Sequence, residues 1–271
     1  MAMSKNNIHY NAYGSGTPIL FIHGNSLNKD SMEQVYEPIF QTSNDYYRVY
    51  IDLPGMGRSS GIGINNSDDM LDALLTFIHE LDITNQLILF GHSYGGYLCL
   101  GLMHRMQNSV IGAHLNAPVI YAQNDDRILE ENENIIEQKI TTDNPDEDYQ
   151  NYLDINTRIN NQTWQKYMAQ IAPGLHQADP EFLDYLHRED NTHYKLSYES
   201  KFNVSNRTTI TLVLGKRDNI VCYRDQLNYF AHMPNTSLYV FDDAGHHTFI
   251  DNYQSNEAIV THFLNAINTQ Q

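Results

Sequence analysis

The pentapeptide Gly91-His92-Ser93-Tyr94-Gly95 follows directly on an apolar run, Leu87-Ile88-Leu89-Phe90. No other stretch constrains the fold as strongly. A strand that feeds straight into a helix must turn within a residue or two, and the residue at the apex takes a strained backbone conformation. Only small neighbours tolerate that turn, hence glycine at 91 and 95. The serine hydroxyl then stands at the carboxyl end of a sheet, where a nucleophile must be to meet a substrate. Five letters alone are a weak pattern in a chain with 15 glycines. Context strengthens them: Tyr97, Leu98, Leu100, Gly101, Leu102 and Met103 continue without a proline, a helix-like run behind a strand-like one.

Similar apolar runs recur at Pro18 to His23, Tyr46 to Leu53, Val110 to Leu115, Thr208 to Leu214 and Ser237 to Phe241. Helix-length segments separate them, near residues 29–42, 67–81, 95–107, 222–232 and 254–268. Buried strands alternating with helices specify βαβ units, right-handed crossovers and a doubly wound, mostly parallel α/β sheet. Asn7 to Tyr13, ahead of Gly14-Ser15-Gly16, is a candidate antiparallel edge strand. The alternation stops between residue 119 and about 200. Helix-like pieces stand there instead: Asp126 to Ile140, Tyr149 to Arg158, Thr163 to Ile171 and Pro180 to Asp190, punctuated by Pro145, Pro173-Gly174 and Pro180. The expected organisation is a core of residues 1–118 and 201–271 with a helical insertion over 119–200.

A formal net charge of −17 argues against nucleic acid and anionic membranes as partners, since phosphate binding needs a basic face. Residues 125–154 alone hold eleven acidic and two basic side chains, which reads as a solvated face on an exposed segment. Cys99 and Cys222 are too few for a disulfide framework and are expected as reduced thiols. Met1 to Tyr10 is polar, and no run approaches the length of a membrane span. The expectation is a soluble cytoplasmic protein, monomer or homodimer, acting on a small molecule.

A serine hydroxyl is a poor nucleophile at neutral pH and needs a base that is itself oriented by an acid. With 13 histidines in the chain, position must discriminate among them. His246 and His247 lie in Asp243-Ala244-Gly245-His246-His247, directly beyond the last strand-like run. Gly245 allows a turn that aims His246 inward, so His246 is the candidate base and His247 a candidate wall of the pocket. Asp218, in Gly215-Lys216-Arg217-Asp218 after the preceding run, is the candidate acid. Asp52, in Asp52-Leu53-Pro54-Gly55, reads as a turn-stabilising acid, and His23 as a buried histidine bridging loops. A developing oxyanion needs N–H donors. The Tyr94 amide, at a helix N-terminus just after the serine, is one candidate, and the Asn25 amide, after Gly24, is the other.

Taken together, Ser93, Asp218 and His246 in that order, with His23-Gly24 upstream and Asp52-Leu53-Pro54-Gly55-Met56-Gly57-Arg58-Ser59 between, resemble the α/β-hydrolase fold family. The resemblance covers the chain from about Tyr10 to Ile267. It implies an eight-stranded sheet with the second strand antiparallel, a helical cap after the sixth strand, and acyl transfer through Ser93 with His246 as base and Asp218 behind it. It calls for no cofactor, and no metal-ligand spacing is present. Branches that use aspartate at the nucleophile position are disfavoured. Esterase, aminopeptidase, C–C hydrolase, lactonase, perhydrolase and acyltransferase activities stay open, as does a low-turnover small-molecule-binding protein. The cap carries Tyr149, Tyr152, Trp164, Tyr167, Met168, Phe182 and Tyr185, most of them expected in packing, with Trp164 a candidate to line an acyl site. Arg127 and Arg158 are either ligands for a substrate carboxylate or ion-pair partners.

Overall fold

Short apolar runs with side chains alternating to both sides bury both faces of a sheet, and parallel strands covered by helices are how such runs fold. The structure, a computed structural model, describes residues 2–41, 45–140 and 147–270. Its strands are β1 (Ala2–Met3), β2 (His9–Tyr13), β3 (Thr17–Ile22), β4 (Tyr46–Ile51), β5 (Leu87–His92), β6 (Val110–Asn116), β7 (Ile135–Ile136), β8 (Arg158–Ile159), β9 (Thr209–Gly215) and β10 (Thr236–Phe241). Its helices are α1 (Lys29–Tyr36), α2 (Ser67–Glu80), α3 (Tyr94–Met106), α4 (Glu147–Ile155), α5 (Asn161–Gln170), α6 (Ala172–Gln177), α7 (Pro180–Leu186), α8 (Arg188–Asn191), α9 (Tyr223–Phe230), α10 (Thr248–Asp251) and α11 (Asn256–Gln270).

Eight strands form one sheet in the order β1-β2-β4-β3-β5-β6-β9-β10. β2 runs antiparallel to β1 and β4, and the remaining pairs are parallel. The antiparallel edge strand is thus present, with a two-residue strand outside it that the sequence pattern was too short to announce. Along β3, Leu20 and Ile22 face α2 and α3, while Ile19 and Phe21 face α1 and α11, and the same alternation runs through β4 and β5. Phe21 stacks on Tyr50 at 4.1 Å and lies 4.7 Å from Phe90, which stacks on His114. β5 is buried along its whole length, and its end is level with its neighbours: Gly91 pairs with Ile22 on one side and Leu115 on the other. The C-terminal ends of β3, β5, β6, β9 and β10 therefore share one edge.

Expected element boundaries mostly hold to within a few residues. The helix expected over 29–42 stops at Tyr36 and tightens into one 3₁₀ turn, Glu37–Phe40, because Pro38 has no N–H to continue the helix; residue 42 lies outside the described residues. The helix expected over Asp126 to Ile140 is absent. A single 3₁₀ turn, Asn124–Asp126, leads into extended chain and the β7 strand. Acidic side chains three and four apart repel along a helix. Extended chain also frees Asn132 and Asn134 to donate to the carbonyls of Leu153 and Asn156, and the Ile135 N–H to donate to Thr157 O at 2.7 Å. The other three helix-like pieces correspond to α4, α5 and α7, and Pro173 opens the additional helix α6. Phe182 of α7 fills a notch where side chains on Gly55 and Gly61 would stand. Among the described residues no helix is long and apolar enough to cross a membrane, and Cys99 and Cys222 are both unpaired.

Burial pushes the His114 imidazole down to about 3, so the unfolded chain takes up a proton that the folded chain refuses. That difference is lost stability, and it grows as pH falls from the unfolded value of about 6.5 towards the folded one. Replacing His114 by Phe should make the acid loss of stability shallower by up to about 1.4 kcal/mol per pH unit across that window, measured by urea unfolding from pH 7 to 4.

Candidate active site

Ser93 is the hinge between β5 and α3. Its backbone sits at φ 52° and ψ −117°, a region a non-glycine residue occupies only under strain. Three hydrogen bonds hold it there. The Ser93 N–H donates to Asn116 O at 3.0 Å, and Ser93 O accepts from the amides of Tyr97 and Val119, each at 3.1 Å. The flanking glycines are required by crowding: a Cβ on Gly91 would stand 2.7 Å from Cys99 Sγ, and one on Gly95 would overlap the carbonyls of Ile22 and His23.

The structure brings most of the expected residues to this edge. Asp218, in the loop after β9, accepts from His246 Nδ1 at 2.9 Å through one oxygen, and from the amides of Ile220 and Val221 through the other. His246, after β10, lies with its ring 4.9 Å from that of His92, the residue before the serine. Nδ1 of His246 carries the proton toward Asp218, which leaves Nε2 as the basic atom. Burial would raise the Asp218 carboxyl; the His246 imidazole and the two amides outweigh it and hold it below the ordinary carboxylate range. Gly24, after β3, packs against Ser93, since a Cβ there would lie 3.3 Å from Ser93 Cβ. That approach puts the Asn25 loop alongside the serine. Tyr94 opens α3, whose first N–H groups have no acceptor within the helix. Its side chain points away, to Ser67 Oγ and the ring of Tyr194.

His247 is also at the site. Its Nδ1 donates to Asn156 Oδ1 at 3.2 Å, and its ring lies between those of His92, His246 and Tyr167. Burial first, and then the two neighbouring imidazoles, keep it neutral well below its ordinary value. His92 is pushed down to about 3 by burial and by His246. Trp164 does not join them. It packs on Tyr149, Tyr152 and Tyr167, and Tyr167 stands between it and His247. Tyr149 and Tyr152 of α4 and Tyr167, three residues on in α5, cover its ring, a packing the sequence could not separate from a pocket wall. Gly245 also acts differently from the expected turn: its backbone is ordinary, but a Cβ would stand 2.6 Å from Ile155 O.

His23 and Asp52 shape the Asn25 loop. His23 Nδ1 donates to Gly24 O at 2.7 Å and its Nε2 accepts from the Leu53 amide at 2.9 Å. Burial pushes His23 down to about 4 and keeps it neutral. Asp52 accepts from the amides of Lys29 and Arg58. Arg127 spends its guanidinium on the carbonyls of Tyr121, Ala122 and Ile220, and Arg158 spends its own on Glu137 and Asp251 O. Among the described residues no group of three or more His, Cys, Asp or Glu is disposed to hold a metal ion.

Sequence reasoning passed over His92, Asn156 and Asp251. Asp251 had a signal: it is the lone acid closing the apolar stretch Thr248-Phe249-Ile250 behind the two histidines. It is fully buried and accepts from four donors. The site is enclosed: Ser93 is 7 % and His246 5 % exposed.

A strained serine at a strand–helix junction, with a histidine–aspartate pair on neighbouring strand ends, defines the class to which the comparisons with known proteins also lead. The chain belongs to the alpha/beta hydrolase family, whose model matches residues 19–260. It is 34 % identical to an alpha/beta superfamily hydrolase from Oenococcus oeni PSU-1, whose crystal structure superposes with a TM-score of 0.93 over 98 % of both chains. An esterase from Exiguobacterium antarcticum shares the fold at a TM-score of 0.69 and 18 % identity, over 95 % of both chains. Among curated relatives, the (E)-2-((N-methylformamido)methylene)succinate hydrolase of Acinetobacter baylyi is 30 % identical over 95 residues, 35 % of each chain. The pimeloyl-[acyl-carrier protein] methyl ester esterase of Shewanella woodyi is 28 % identical over 108 residues, 40 % of this chain and 38 % of that one. The matched region thus spans little more than a third of these relatives' length.

Strain at Ser93 has a measurable consequence. Ser93→Gly releases a conformation worth about 1–3 kcal/mol, offset by the greater freedom of glycine in the unfolded chain. The expected net effect is a gain of about 1 kcal/mol in unfolding free energy together with loss of activity. Urea denaturation showing Ser93→Gly less stable than wild type would contradict the strained turn.

Proposed function

We propose that the chain is a serine hydrolase that cleaves uncharged esters of small acyl groups through an acyl-enzyme. The observation that carries this reading is the 2.9 Å bond from His246 to Asp218 beside a serine held at φ 52°. Ser93 Oγ attacks the acyl carbonyl as His246 Nε2 takes its proton. Asp218 keeps the imidazole in the tautomer whose Nε2 is free to accept, and stabilises the imidazolium. The amides of Asn25 and Tyr94 receive the oxyanion. His246 then protonates the departing alkoxide, and water, deprotonated by His246, attacks the acyl-enzyme and regenerates Ser93 with release of the acid. In this reading residues 119–200 are a cap that excludes water and shapes the acyl pocket, with His247 on its wall and Trp164 buttressing Tyr167.

The preference for uncharged substrates rests on the two arginines of the insertion. Some relatives are named for succinate- or carboxylate-bearing compounds, as in the 2-succinyl-6-hydroxy-2,4-cyclohexadiene-1-carboxylate synthase of Escherichia coli. Binding a substrate carboxylate calls for an available cation or fork of N–H donors. Arg127 and Arg158 already hold carbonyls and carboxylates of the fold. The neutral His92 and His247 offer no positive charge either. An ester fits this site better than a dicarboxylate.

Steady-state hydrolysis of p-nitrophenyl esters tests the reading. A butyrate ester should be cleaved with kcat/KM at least about tenfold above the hemisuccinate of similar length, the order of discrimination set by an uncompensated buried charge. Ser93→Ala should lower kcat by about 10⁴-fold or more. Wild-type rates in Ser93→Ala would end the serine-hydrolase reading, and preference for the hemisuccinate would end the uncharged-substrate part of it.

A further inference from the structure

We propose that Asp251 is a positioning residue for His246: its carboxylate fastens the loop carrying the histidine to the inserted segment, so that docking of the segment sets the base in place. The proposal rests on the reading of Ser93, His246 and Asp218 as the reacting triad.

The geometry is a four-way junction. One carboxylate oxygen, Oδ2, accepts from the amide of Gly245, the residue directly before His246, at 2.8 Å, and from the Thr157 amide at 3.1 Å. The other, Oδ1, accepts from the Arg158 amide at 3.1 Å and from Asn156 Nδ2 at 3.4 Å. Asn156 returns to the site through Oδ1, which accepts from His247 Nδ1. Thus one side chain holds both the approach to His246 and the strand β8 of the insertion. A second feature points the same way. Gly245 has no room for a side chain because Ile155 O and Thr157 Oγ1 of the insertion press against it at 2.6 and 3.0 Å from the missing Cβ. The contact is therefore built from both partners.

Packing alone does not call for this arrangement. An apolar side chain of similar shape would fill the space but leave the amides of Gly245, Thr157 and Arg158 without this acceptor. What the carboxylate alone supplies is a pair of oxygens that accept from the histidine loop and the insertion together. The charged and titratable groups facing it are few. The Arg158 guanidinium donates to Asp251 O at 3.3 Å and is paired with Glu137 at 2.6 Å and Asp243 at 3.7 Å. His247 stands behind Asn156, and the Tyr152 phenol is within electrostatic range. Burial pushes the Asp251 carboxyl up to about 6, against the pull of the N–H donors of Gly245, Thr157 and Arg158. Protonation in that range takes acceptor capacity from the junction, so activity falls on the acid side as the junction loosens. Stability moves the other way: with its folded value raised above the unfolded one, this group's contribution improves as pH falls from about 7 to about 4.

The test compares kcat, KM, acid limb and thermal midpoint for wild type, Asp251→Asn, Asn156→Ala and Ser93→Ala on a neutral p-nitrophenyl ester. Asp251→Asn should lower kcat by about 10²-fold, the effect of a misplaced reacting group, with KM changed far less, at a temperature where the variant is fully folded. The wild-type acid limb should be steeper than one protonation, and Asp251→Asn should reduce it to one. Should Asp251→Asn fail to fold, Asn156→Ala carries the test: it should lower kcat several-fold at a temperature well below its own midpoint, where the variant is fully folded. If Ser93→Ala is inactive while the foldable variant matches wild type in kcat and acid limb, the positioning role is overturned and the triad stands. Full activity of Ser93→Ala overturns both.

Discussion

The site depends on one crowded turn. β5 is buried from end to end, and its last residues must pass between β3 and β6 before the chain reverses into α3. Glycine at 91 and 95 lets the chain through, and the amide of Ser93, bonded to Asn116 O, fixes the apex. Everything else at the site is placed relative to that apex. Gly24 brings the β3 loop against the serine, and the loops after β9 and β10 bring Asp218 and His246 to the same edge of the sheet. A rigid scaffold with reacting groups on the loops at strand ends is the usual arrangement of an open α/β sheet.

Much of this was legible in the sequence because both faces of the sheet are buried. Apolar runs such as Pro18 to His23 and Thr208 to Leu214 have few other uses, and the motifs after them fall at strand ends by necessity. Tertiary interactions hid the rest. Acidic residues 126–140 carry a helix-like spacing, yet asparagine side chains and a strand pair settle them as extended chain. Trp164 looked like a pocket residue because it is the single tryptophan, and it proved to be one ring removed from the site. Gly245 was read as a turn residue, whereas its smallness answers to Ile155, ninety positions away in the chain and invisible to any local pattern.

Buried neutral histidines are a second theme. His23, His92 and His247 are all kept uncharged by burial, and each has a fixed hydrogen-bond partner. Around the His246–Asp218 pair, such neighbours add polar surface without adding a competing charge. The same enclosure that depresses them leaves Ser93 and His246 largely buried. Gly174 of α6 packs against Leu27 after β3, and Phe182 of α7 rests in the notch at Gly55 and Gly61 after β4.

The central claim is that Ser93 reacts and His246 activates it. Labelling with a fluorophosphonate, followed by peptide mass spectrometry, addresses both at once. One adduct on Ser93 in the wild-type protein, lost or strongly slowed in His246→Ala, is the expected result. An adduct on another residue, or labelling of Ser93 at an undiminished rate without His246, would contradict the account.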